Sequence, residues 1–193
     1  MGLFRLFVVG ACLASCICGC VTTSDQTASP NEITPPGEYC HEASGILFPK
    51  EIGEFQRFKV FQYDSQGRNI SVGYNLVRFG PTIAATVYVR PIGDEDFTVC
   101  VEYAKAAVID AHRDATVLVD EEFELSQPPK IMKGRHIRFL FTNSTPYGPQ
   151  LFWSDAYLFT SGSWLFKYRI TYLQDYGEKA QKDIQQLLQS LKL

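Results

Sequence analysis

The chain has 193 residues, 46% of them hydrophobic and 20% charged, which is the composition of an ordinary globular domain with some extra sequence. Its 18 basic and 21 acidic residues give a net charge of −3. Without a basic excess to neutralise a phosphate backbone, nucleic acid is excluded as an expected partner.

Four of the six cysteines (Cys12, Cys16, Cys18, Cys20) crowd one short N-terminal stretch, unlike the spread of a disulfide framework. That stretch has the order of a secretory signal. Arg5 supplies the positive start, Leu6 to Ala14 is apolar or small, and small residues mark a cut. Its apolar core is too short to span a bilayer, which takes roughly 20 residues. Leu13-Ala14-Ser15-Cys16 resembles the bacterial lipobox, in which the cysteine receives a diacylglyceryl group and becomes the acylated first residue. A second frame, Ile17-Cys18-Gly19-Cys20, leaves Cys20 open as the lipidated residue, although the spacing favours Cys16. Cys-x-Cys-x-Cys lacks the paired spacing of zinc sites, so neither metal nor cofactor is expected. The resemblance implies residues 1–15 as a signal peptide, several acyl chains as a stable anchor, and a place in the bacterial envelope facing the periplasm. Ile17 and Val21 follow the two candidate cysteines, and neither is the Asp associated with inner-membrane retention, which favours the outer membrane.

Residues 16–38 read as anchor and flexible linker: Thr22 to Gly37 is polar, contains proline and has little to bury. Residues 39–193 read as one domain. Phe58 to Tyr63 and Asn69 to Val77 predict two strands around the turn Asp64-Ser65-Gln66-Gly67. Ile83, Ala85, Val87 and Val89 alternate along a third, Thr82 to Arg90. Asp94-Glu95-Asp96 predicts the cap and acidic first turn of a helix running to His112, whose imidazole is expected as a cation near the negative end. Phe97, Cys100, Val101, Ala104, Ala107, Val108 and Ala111 form its apolar stripe. Strands over Thr116 to Leu125, Ile131 to Thr142, Gln150 to Thr160 and Ser163 to Tyr172 follow. A last helix has Asp175 and Glu178 spaced as a capping box. The expected class is α+β: a seven-stranded, mostly antiparallel sheet with two packed helices in the order βββαββββα.

That order, with Phe48-Pro49 before it and Leu187-Leu188-Gln189-Ser190-Leu191 closing it, resembles the PsbP and DcrB-type fold. Ile52-Gly53-Glu54-Phe55, Ser71-Val72-Gly73-Tyr74 and Trp164-Leu165-Phe166-Lys167-Tyr168-Arg169 are similar to segments of uncharacterised proteobacterial lipoproteins. The resemblance implies a binding or assembly module, with an envelope protein or cell-wall component as partner, and brings no catalytic motif.

His41, His112 and His136 lie far apart without metal-ligand spacing, and no nucleophile elbow or phosphate loop occurs. An envelope hydrolase with a site assembled from distant residues is the alternative function. Asp120, Glu122 and Glu124 alternate on one strand and are expected to pair with Lys133, Arg135 or Arg138. Trp153, Asp155, Tyr157 and Phe159 share a strand face. With Tyr147 in the loop Asn143 to Pro149, and with Trp164, these aromatics give a candidate ligand surface of Tyr147, Trp153, Tyr157 and Trp164. Cys40 and Cys100 are a candidate disulfide, against which stands the place of Cys100 on the buried helical stripe.

Overall fold

The computed structural model describes residues 29–77 and 82–191. The expected signal peptide and both candidate lipidation sites, Cys16 and Cys20, lie outside them. In chain order the strands begin with four short pieces, β1 (Asn31–Ile33), β2 (Tyr39–His41), β3 (Ile46–Phe48) and β4 (Glu51–Ile52). Then come β5 (Phe55–Gln62), β6 (Ile70–Val77) and β7 (Thr82–Pro91), helix α1 (Phe97–Ala111), and β8 (Thr116–Gln127), β9 (Lys130–Thr145), β10 (Gly148–Ser161) and β11 (Trp164–Leu173). Helix α2 (Gly177–Ser190) follows a single 3-10 turn, Gln174–Tyr176.

The fold is α+β around a large antiparallel sheet in the order β1-β5-β6-β7-β11-β10-β9-β8, with β4 also on β5; β2 and β3 pair separately. The seven long strands are the expected ones, but the sheet has nine because β1 and β4 extend it. Two meanders meet where β7 pairs with β11, Val87 opposite Tyr168. Helix α1 carries the chain from β7 to the far edge, and the second meander returns to the middle.

Alternation divides the side chains of β9 and β10 between two separate cores, while β5, β6, β7 and β11 supply the first alone. On one face, Val72, Tyr74, Val87, Val89, Phe159, Phe166, Tyr168 and Ile170 are buried with Ala180, Ile184, Leu187 and Leu188 of α2. On the other, Ile137, Phe139, Phe141, Ala156 and Leu158 are buried with Val101, Ala104 and Val108 of α1. Because β10 is covered on both sides, Ser154 to Phe159 is one unbroken buried run.

Three local expectations change. The side chain of Asp96 does cap α1, accepting the Thr98 N–H at 2.6 Å, but the first turn holds no acid: Glu95 turns back to Arg90 at 2.7 Å. The Asp175/Glu178 capping box does not form, because Asp175 belongs to the 3-10 turn and Tyr176 occupies the cap position without a side-chain bond. Within the linker, Asn31–Ile33 pair with Val60–Gln62 at the sheet edge. Arg57 fastens the stretch that follows, donating to the carbonyls of Phe48 (2.6 Å), Pro35 (3.1 Å) and Gly37.

Candidate functional site

The largest concentration of buried ionisable groups lies on the α2 face, where β9, β10 and β11 run side by side. Register places Arg138 opposite Asp155, His136 opposite Tyr157, and Tyr172 opposite Trp153. Asp155 is fully buried. It accepts from Tyr172 Oη (2.5 Å), His136 Nε2 (2.8 Å), Arg138 Nε (2.8 Å) and Arg138 Nη2 (3.1 Å). The second ring nitrogen of His136 faces Glu121 Oε1 at 3.3 Å, and the ring stacks on Tyr157 with centroids 4.4 Å apart. The Arg138 guanidinium lies 4.6 Å over the Trp153 ring.

Burial alone would push the Asp155 carboxyl up, but the bonds from His136, Arg138 and Tyr172 outweigh it and hold the group below the ordinary carboxylate range. Burial, then the Asp155 charge, raises the Tyr172 phenol. Asp155 is therefore a carboxylate whose lone pairs are already taken, beside a phenol that keeps its proton. General-base or nucleophilic work needs a free acceptor aimed at a substrate, and this node offers none. It ties three strands together under the end of α2, where Gln181 reaches Tyr172 Oη at 3.3 Å. Beside it a shallow cavity of about 430 Å³ is lined by Trp153, Gly177 and the charged Asp175, Glu178 and Lys179.

The aromatic platform does not assemble. Tyr147 is 91% exposed at the β9–β10 turn. Trp153 packs against Gly177 and Arg138, while Tyr157 is core, between His136 and Phe123. Trp164 lies at the opposite end of the hairpin, in a T-shaped contact with His41. At ~3.3 Å per strand residue, the length of β10 separates Tyr147 from Trp164 by roughly 45 Å.

Other candidates resolve into local struts. Cys40 and Cys100 are both free: Cys40 is exposed on β2, whose Tyr39 packs on the α2-side core, whereas Cys100 is on α1 across the sheet. His112 is not a helix-end cation. Burial, then Arg169, lowers its pKa, and it stacks as a flat ring on Phe141 at 3.6 Å. Asp120 binds Arg135 (2.5 Å) and Lys105 (3.0 Å), and Glu124 faces Lys133 at 3.9 Å. Arg138 is absent from that row because three positions along a strand put it on the opposite face from Arg135. No cluster of three metal-ligating side chains occurs among the described residues.

A different surface, unmarked by any motif, is open. Helix α1 packs on β9 and β10, so its side of β5, β6 and β7 extends beyond it. A bulge between Arg57 and Lys59 turns Phe58 onto this side, where it is 47% exposed and lies across Gly73. A Cβ on Gly73 would sit 2.7 Å from the Phe58 ring, so only glycine lets the ring lie flat. Lys59 Nζ is 5.5 Å over the Phe61 ring and Lys167 Nζ 4.2 Å over that of Tyr88, with Tyr63 hydrogen-bonded to Ser71 nearby. Phe61, Tyr63 and Tyr88 alternate out of phase with the buried Val60, Val87 and Val89, whereas Phe58 has the parity of Val60 and reaches this side only through the bulge. For those three that phase was the available signal, but only the position of α1 decides that it does not pack over them.

Compared with known proteins, the chain matches no family model and none of the curated proteins.

Proposed function

We propose that the protein is a lipid-anchored module of the bacterial envelope that binds or helps assemble a partner rather than catalysing a reaction. It has a PsbP/DcrB-like fold, faces the periplasm and sits by preference at the outer membrane. The observation that carries the reading is the contrast between the polar node and the open face. The ionisable groups around Asp155 are satisfied by one another, while the aromatic and cationic side chains of β5, β7 and β11 lie on a sheet surface that α1 leaves uncovered. Aromatic rings beside long cations suit recognition of an apolar, anionic surface. The lipobox-like sequence supports the anchor.

The test is intact mass and membrane fractionation of the natively expressed chain with Cys16→Ala and Cys20→Ala variants. One substitution should remove the acyl mass and release the protein from membranes. An unmodified, freely soluble wild-type chain overturns the anchored reading and reopens the envelope hydrolase.

A further inference from the structure

We infer that residues 31–38 are a detachable strap, latched to the domain by Arg57, whose release lengthens the tether between the acyl anchor and the fold. The gain in reach rests on the anchored reading; the strap and its latch rest on the packing alone.

The strap has little of its own to hold it. β1 contributes a ladder of three residues, Asn31–Ile33 against Val60–Gln62, at the end of the sheet order. Asn31 and Glu32 are exposed, and Ile33 is half-buried against the α2-side core. The Glu32–Lys59 pair, 3.7 Å apart with both side chains well in solvent, adds little. Pro35 and Pro36 have no N–H to continue a ladder, and Thr34, Pro36, Gly37 and Glu38 are exposed.

One guanidinium fixes what the ladder cannot. Arg57 Nη2 donates to the carbonyls of Pro35 (3.1 Å) and Gly37, while Nη1 donates to that of Phe48 at 2.6 Å. Phe48 is fully buried, so one nitrogen of the fork grips the core and the other grips the strap. The chain is secured again just beyond. The Tyr39 ring packs on Phe48 with centroids 6.0 Å apart, and buried His41 bonds Ser44 Oγ at 2.6 Å and the Gly67 carbonyl at 2.9 Å. The limit of peeling therefore falls between Glu38 and Tyr39. A segment with so few buried apolar contacts opens at a free energy well below that of the whole fold. Ten or fourteen residues separate Cys20 or Cys16 from Asn31. Release of Asn31 to Glu38 adds eight more, roughly 27 Å of extended chain. Latched, the domain is held near the bilayer; released, it reaches a partner farther out.

Hydrogen exchange with mass spectrometry on the acylated full-length protein, across low denaturant concentrations, tests the strap, and the acyl mass is read on the same sample. Peptides covering residues 29–38 should be protected, yet exchange roughly a hundred-fold faster than those of β6 and with a weaker denaturant dependence. Arg57→Gln should speed the strap about ten-fold or more. Ile33→Ser, which leaves the Phe48 carbonyl bonded, should act in the same direction and decides the matter with the wild type if Arg57→Gln fails to fold. No protection in the wild type, exchange in step with β6, or strap rates that neither substitution moves overturns the inference. Neutron reflectometry on a supported bilayer reads the reach: the protein layer should extend farther from the lipid for Arg57→Gln, or for Ile33→Ser in its place. With acyl mass present, an unchanged layer overturns the gain in reach while the anchored reading stands. Absence of acyl mass overturns the anchored reading and that gain with it, and the exchange data then decide the strap by themselves.

Discussion

The two sides of the sheet show different uses of similar residues. On the α2 side a carboxylate, an imidazole, a guanidinium and a phenol are folded into one closed set, and Arg138 lies over an indole that is itself pressed on Gly177. On the α1 side of β5 to β7, lysines lie over Phe61 and Tyr88, away from the strands β9 and β10 on which α1 packs. The chemistry of cation over ring is common to both; the covering layer differs. Where a helix excludes water, each charge must be matched inside the protein.

The sharpest way to break this comparison is to remove Asp155. Asp155→Ala leaves Arg138 and His136 without their shared acceptor, and should cost about 3–5 kcal/mol in urea or guanidinium unfolding, as loss of one partner of a buried ion pair does. An unchanged midpoint would mean the node contributes nothing to holding the strands. Next comes Gly177→Ala. Its new Cβ would meet Trp153 Cζ3 at 2.1 Å, and the overpacking should destabilise by roughly 1–3 kcal/mol despite alanine's better helix propensity.

Acid titration sharpens the contrast further. Burial holds His41 and His112 below the ordinary imidazole value. Stability from keeping them neutral is thus present above the unfolded pKa of about 6.5 and lost as pH falls through their folded values. Asp155 is held low, so its contribution is present above about 3.9 and disappears as pH falls through its own lower folded value. Unfolding free energy should decline in these two windows. His112→Gln should flatten the first and Asp155→Asn the second; identical profiles for wild type and variants would contradict the assignment. The smallest effect belongs to the open face. Phe58→Ser and Lys59→Gln should change stability by less than ~1 kcal/mol. A loss as large as that for Asp155 would show Phe58 to be core.

Much of the scaffold is legible in the residues. The alternation of Ile83, Ala85, Val87 and Val89 and the helical spacing of Cys100, Ala104 and Val108 reflect burial that repeats along an element, and repetition is what a pattern can carry. Strands β1 to β4 have two or three residues each, too few for any period, and exist because β5 or a neighbouring strand offers an edge. The bulge at Phe58 likewise left no mark before the pairing with β6 was known. Asp155, His136 and Arg138 were visible only singly. Arg138 looked like a partner for the acids of β8 until strand parity placed it on the other side.

By itself, the sequence determined the α+β class, the seven long strands and two helices in order, and the N-terminal pattern that resembles a lipidation signal. These follow from local periodicity and local chemistry. Tertiary structure decided which charges are spent internally and which aromatics remain outside. That depends on register across β9, β10 and β11, and on where α1 comes to rest. Neither is encoded within one segment, because both arise from contacts between residues far apart in the chain.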